Sequence, residues 1–398
     1  MLVFEALNAL HGDCLLLRYT DTQGKSRLWL IDGGPRSGNV NGARLSVWKD
    51  VMLPRLKTIG GPPPITIDLG IVSHIDDDHI NGIEKMAMDL VAARPHPGDV
   101  VFRRFWFNSF GSLVGSLPTE GGASPAELSS VMTNLSLDVD GEHDGAAILQ
   151  SVGQGISLAS SLETLGLGGN QPFGGLIATS KGQPAFLIDD ASVTIIGPLQ
   201  SRLDTLQKSW QKALTKATKK ARAAALQKLF ASDGQLDNSI PNLSSIVALV
   251  EIAGKSLLLT GDARGDDIVS AWTNLELPDC KRTVDLLKVP HHGSFANNPE
   301  GFVRFFNATH YVFSADGKHE NPDPPVLEGL ISFHGGRPVI MHFTNADIKW
   351  TKPYRLERGG AQVQTLQEML DALKEAYPGP WAYNLRPEAA PSVEIVLL

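Results

Sequence analysis

The chain has 398 residues, 42% apolar and 20% charged, with a formal net charge of −8. Those values are ordinary for a soluble globular protein of one large domain or two smaller ones, and the acidic balance excludes a general nucleic-acid coat. No apolar run is long enough to span a bilayer, and two cysteines, Cys14 and Cys280, make no disulfide framework, so a cytoplasmic setting is expected.

The opening stretch, MLVFEALNALHGDCLLLRY, lacks a basic leader and a small-residue cleavage site, and reads as two strands rather than a signal peptide. LWLIDGG is a further strand that ends at Asp32, Gly33 and Gly34, where the glycines permit a tight turn. GARLSVWKDVMLPRLKTIG has helical spacing, and PITIDLGIVSH reads as one buried strand. EKMAMDLVAA is a short helix and VVFRRFWFNSF another strand. From 111 to 180 the chain turns rich in Gly, Ser and Leu, with a helical pattern over Ala146–Leu165, and reads as an insertion between core elements.

ASVTIIGP is a strand, followed over 200–231 by an amphipathic helix. Seven basic residues and no acidic ones fall between Gln207 and Ala231. Lys208, Lys212, Lys216 and Lys220 form a like-charged stripe, either a solvated face or a surface for an anionic partner. LSSIVALVEIAG and KSLLLTGDA read as a hairpin, RGDDIVSAWTNL as a helix, and TVDLLKVPHHGS as a strand running into a loop. NPEGFVRFFNA, PPVLEGLISF and QTLQEMLDALKEA are helices; HYVFSAD, RPVIMHF and SVEIVLL are strands. Two strand-rich halves covered by helices predict a four-layer αββα sandwich.

Three stretches carry chemistry. VSHIDDDHINGI places His74, Asp76, Asp78 and His79 after an apolar strand, on what reads as a loop. Imidazole and carboxylate are the ligands that zinc, manganese and iron accept, and His74 with Asp76 could reach one ion, Asp78 with His79 a second. The plain alternative is a solvated acidic turn that caps a helix. LLLTGDA ends a strand on Asp262, and LLKVPHHGS ends one on His291 and His292. All three follow strand ends, where sites of layered α/β folds collect. Lys288 reads as a surface or buried-pair lysine, and His319 either faces water or contacts substrate. His96, His143, His310, His334 and His342 have no ligand-spaced neighbours and read as structural. His11, beside Gly12 and Asp13, has a weaker claim to lie near the site.

In that order these motifs resemble the metallo-β-lactamase superfamily, and within it the hydrolase domain of competence-type DNA-internalisation proteins. HGDCLLL…LWLIDGG is similar to that branch's opening hairpin, NLSSIVALVEIAGKSLLLTGDA to its strands before the bridging aspartate, and SADGKHENPDPPVLEGL to its late substrate-side segment. The resemblance covers most of the chain except 111–180 and the tail after about 345. It implies an α/β, metallo-β-lactamase-like four-layer αββα sandwich with a helical insertion, built as one hydrolase domain over 1–398. It further implies two divalent metal ions, Zn or Mn, held by His74, Asp76, Asp78 and His79, with Asp262 bridging. The last histidine ligand falls at His292 first and His291 second. The chain departs from the pattern in having Asp76 for a histidine and NSIPNLSS where a middle histidine is usual. Asn238, Asn242 or water would fill that place, and Asn321 and Asp323 stand where the branch often has histidines.

The mechanism so implied is hydrolysis by a hydroxide formed on the metals, without a serine or cysteine nucleophile. Asp76 or Asp78 orients the water and takes its proton, and His319 donates to the leaving group or contacts substrate. The expected substrate is a phosphoester or nucleic-acid-like compound. A lactone or amide hydrolase is an alternative, as is a scaffold that has lost one metal and acts as an interaction or regulatory module. No membrane association is expected, and a protein partner would use the 111–180 insertion or the basic helix.

Overall fold

A computed structural model describes residues 1–40, 43–96, 98–109, 143–201, 203–204, 240–334 and 336–398. The basic stripe, Asn238 and the first half of the expected insertion lie outside the described residues.

The strands in the first half are β1 (Leu2–Leu7), β2 (Leu15–Thr20), β3 (Ser26–Ile31), β4 (Ser37–Val40), β5 (Ala43–Ser46), β6 (Ile65–Ile67), β7 (Leu69–Val72), β8 (Val100–Phe102) and β9 (Phe105–Phe107). A π-helical turn over Val47–Met52 runs into helix α1 (Leu53–Gly60), α2 spans Asp77–Ala93, and α3 spans His143–Thr164. Next come β10 (Phe186–Ile188), β11 (Ala191–Gly197), β12 (Val247–Ile252), β13 (Lys255–Leu259), α4 (Gly265–Asn274), β14 (Thr283–Lys288), α5 (Glu300–Phe305), β15 (Asn307–Phe313), α6 (Pro324–His334) and β16 (Val339–Phe343). The chain closes with β17 (Lys349–Arg355), β18 (Gln362–Thr365), α7 (Leu366–Ala376), β19 (Trp381–Leu385) and β20 (Ser392–Val396).

These elements make a mixed α/β protein around two large sheets, ordered β20-β1-β2-β3-β7-β9 and β10-β11-β12-β13-β14-β15-β16-β19. Period-2 alternation sets the layers. Leu15, Leu17 and Tyr19 of β2 join Ala248, Val250 and Ile252 of β12 in one core between the sheets. Leu16 of β2 faces the other way, into a core with Ile80, Ile83 and Met86 of α2 and Leu158 of α3. Leu249 of β12 and Leu258 of β13 enter a third core with Trp272 of α4, Leu327 of α6 and Leu370 of α7. Helices therefore cover the outer face of each sheet.

Several local expectations are corrected. PITIDLGIVSH is two strands, β6 and β7, with Asp68 between them binding the Leu28 amide and Arg27. Of the stretch read as a helix from 42, Ala43–Ser46 is the strand β5, and Arg103–Arg104 break VVFRRFWFNSF into β8 and β9. The helix read as EKMAMDLVAA starts well before Glu84, inside the His74–His79 cluster: Asp76 is its N-cap and Asp77, Asp78 and His79 its first turn. In the tail after 345, SVEIVLL is a strand as read, β20, which pairs with β1, and β19, which was not read from the sequence, pairs with β16. Among the described residues no helix is long and apolar enough to cross a membrane. Cys14 is buried and Cys280 exposed, and both are free.

Candidate metal centre

The strand ends converge at one crevice. β7 delivers His74 from the first sheet, while β13 and β14, parallel neighbours in the second, deliver Asp262 and the His291–His292 pair. Backbone bonds lock the loops together: Gly33 N donates to His79 O at 2.7 Å, Gly34 N to Asp13 O at 2.6 Å, and Asp13 N to Asp78 O at 3.2 Å. His291 N donates to Gly261 O at 3.2 Å. A Cβ at Gly12 would come within 1.9 Å of the Asp78 carbonyl oxygen, so only glycine allows this approach.

Asp262 is the hub. Its Oδ1 lies 3.2 Å from His79 Nε2, and its Oδ2 lies 3.5 Å from His292 Nε2, 3.7 Å from His291 Nε2 and 3.9 Å from His74 Nε2. Four imidazoles thus turn Nε2 towards one carboxylate. Asp78 Oδ2 is 3.1 Å from His292 Nε2, and Asp76 Oδ2 is 3.7 Å from His74 Nε2. Asp76 makes no capping hydrogen bond although it holds the N-cap position, so the plain capping account fails for it. Asp77 turns the other way, accepting from Asn81 and from Gln154 Nε2.

The Nδ1 atoms are held from behind. His79 Nδ1 donates to Asp32 Oδ2 at 2.9 Å. The Ser73 hydroxyl donates to Asp32 Oδ2 at 2.7 Å, so towards His74 Nδ1, 3.0 Å away, it can only accept. His291 Nδ1 donates to Asn297 Oδ1 at 2.8 Å, and His292 Nδ1 faces Asp13 Oδ1 at 3.5 Å. This bonding places the protons of His74, His79 and His291 on Nδ1 and leaves the Nε2 lone pairs aimed into the crevice, the arrangement of metal-ligating histidines. His291 and His292 reach it from consecutive positions because both adopt left-handed backbone, φ 45° and 53°, a conformation non-glycine residues hold only under constraint.

Charge makes the same point. Asp13, Asp32 and Asp262 are buried, and the one ammonium among them, Lys288 with 0% exposure, pairs with Asp13 at 2.8 Å. Burial works against charge on His79, yet Asp262, Asp32 and Asp78 hold its pKa well above the ordinary value. Burial likewise opposes charge on His292, and Asp262 followed by Asp13 push its pKa up to about 10. Against burial, His79, His292 and His291 hold Asp262 well below the usual carboxylate range; His79 and His292 do the same for Asp78. His74 Nε2 is buried and has no hydrogen-bond partner. A pocket this dense in carboxylates and inward-facing Nε2 atoms fits divalent cations, which would replace the imidazolium protons.

Asp13, Asp32 and Ser73 were not singled out in the sequence; their only signal there is an acid or hydroxyl at a strand end within apolar surroundings. Among buried groups, Asp13, His79, Asp262 and His292 form a set with potential ligand atoms within 4.8 Å of one another. Asp13 nonetheless sits on the Nδ1 side of the imidazoles, behind the crevice. Asn242 lies 3.4 Å from His291 Nδ1, where the middle histidine was missing from the sequence pattern. Asn321 approaches the His291 carbonyl at 3.5 Å and Asp323 accepts from Phe295 N at 2.6 Å, so both shape the His291–His292 loop. His319 and His11 meet edge-on at the rim, 5.7 Å between centroids. His310 and His342 pair with each other at 3.0 Å, and His334 Nε2 lies 2.9 Å from the Val303 carbonyl.

No family model and no curated protein matches the chain. Among solved structures it is similar to a point mutant of CmlA beta-hydroxylase, at 11% identity and a TM-score of 0.34, over 99% of this chain and 54% of that one. The chain thus spans about half the length of that protein.

Proposed function

We propose that this protein is a metal-dependent hydrolase of the metallo-β-lactamase type and acts on phosphoester bonds. One observation carries the reading: four histidines hold Nδ1 against a polar group behind them and turn Nε2 within 3.9 Å of Asp262. Asp78, His79, His292 and Asp262 would hold one divalent ion. His74, Asp76, His291 and Asp262 would hold another, with His291 in place of the missing middle histidine. The mixed nitrogen and oxygen set suits zinc, manganese or iron. Divalent ions there would bring the pKa of water from about 15.7 towards neutral and draw charge from the attacked group.

The chain's own groups do the rest. Asp76 is the most open of the crevice carboxylates, with 32% of its side chain exposed against 19% for Asp78, and takes the proton of the attacking water. Asp78, whose Oδ2 lies 3.1 Å from His292 Nε2, orients that water. Partial burial lowers the pKa of His319, and its imidazole contacts substrate as a hydrogen-bond partner.

Metal analysis of gently purified protein tests the centre: one to two equivalents support it, and substantially less than one favours a scaffold that has lost its metals. Turnover of an aryl phosphodiester with added manganese, beside an aryl ester, separates phosphoester from carbonyl hydrolysis. Asp78→Ala and Asp262→Ala are each expected to lose more than about a hundredfold of the turnover, because each removes part of the group that activates water.

A further inference from the structure

We propose that His11, Lys318 and His319 form a seat for the non-reacting oxygens of a phosphate group beside the metal centre. The inference rests on the phosphoester reading and adds His11 and Lys318 to the His319 contact that reading already uses. The three come from opposite ends of the chain. His11 lies in the turn between β1 and β2, whereas Lys318 and His319 lie in the loop between β15 and α6. Lys318 Nζ lies 3.4 Å from His11 Nε2, and the two imidazoles meet edge-on. His11 precedes Gly12, which packs on the Asp78 carbonyl, and Asp13, whose amide donates to that carbonyl at 3.2 Å, so the three groups stand beside the crevice.

Bonding assigns the roles. An ammonium only donates, so His11 Nε2 accepts from Lys318 and the His11 proton sits on Nδ1, available to an anion. Lys318 has no ion-pair partner among the described residues, whereas Lys288 is committed to Asp13. Beside its imidazoles the crevice carries the carboxylates of Asp76, Asp78 and Asp262, which repel an anionic substrate. Lys318 is the cation placed to offset that repulsion, with two imidazoles beside it offering hydrogen bonds. A tetrahedral group with several anionic oxygens matches three donors on one rim better than a single ester carbonyl does.

The probe is inorganic phosphate, titrated calorimetrically into the full chain, with metal content measured on the same samples. The wild type is expected to bind it. Lys318→Ala should weaken binding at least about tenfold, the effect of one charge-assisted hydrogen bond; His11→Gln and His319→Gln should weaken it by smaller factors. Metal content and melting temperature should stay at wild-type values in all three. Equal affinity in wild type and Lys318→Ala, or no phosphate binding by the wild type, overturns the seat while leaving metal content to judge the centre. A wild type that takes up no metal yet loses phosphate affinity on Lys318→Ala upholds the seat and defeats the hydrolase reading.

Discussion

Lys288→Met tests how the buried charge under the centre is balanced. Lys288 is fully buried and its ammonium lies 2.8 Å from Asp13 Oδ2. Removing one partner of a buried pair leaves the other charge uncompensated, at about 3–5 kcal/mol. The His292 ring, whose Nδ1 is 3.5 Å from Asp13 Oδ1, offsets part of that and places the loss near the lower end. At about 2.1 cal/mol/K of unfolding entropy per residue, 398 residues give about 0.8 kcal/mol per degree, so Tm should fall by about 4 °C. The pair Asp13→Leu/Lys288→Met leaves no isolated charge and should recover most of that loss. It also removes the acceptor behind His292, so metal affinity should stay depressed by about 10–100-fold. Thermal unfolding of chelator-treated protein and competitive metal titration read the two effects separately. A single variant melting within a degree of wild type, or a double variant melting below the single, refutes the account.

Acid weakens the same pair. Against burial, Lys288 and then His292 hold the Asp13 carboxyl below its usual range, so the stability it contributes is present above its unfolded pKa and is lost as pH falls. The gap between wild type and Lys288→Met should therefore narrow below about pH 4 in pH-dependent melts. Asp76→Ala should reduce metal stoichiometry, whereas Asp77→Ala, whose side chain faces Asn81 and Gln154, should retain it; equal stoichiometry in both would sink the assignment. Asp32→Asn should weaken metal binding by about 10–100-fold through the orientation of His79, measured by chelator competition at unchanged Asp262 and Asp78. Because carboxylates raise the pKa of His79 and of His292, the latter to about 10, metal uptake should release protons and tighten from about pH 6 to about pH 9. Calorimetry in buffers of different ionisation enthalpy reads that release, and uptake independent of buffer would count against it.

Residue chemistry and periodicity are local, and both were legible in the sequence. Apolar patterning gave most strands of the two large sheets, and the strand-end clusters at His74–His79, Asp262 and His291–His292 marked the three loops that converge. The helix start was misplaced because Asp76, Asp77 and Asp78 suit an exposed turn as well as a first helical turn, where acidic side chains complement the dipole. Tertiary structure alone decided the remainder. That both histidines of His291–His292 face Asp262 depends on two left-handed residues in succession, which no side-chain pattern announces. That Asp13 meets Lys288, and His11 meets Lys318, depends on how two sheets stack and bring together loops some 300 residues apart. Sequence specified which imidazoles and carboxylates each strand end carries; the packing of one sheet on the other specified which of them share a pocket.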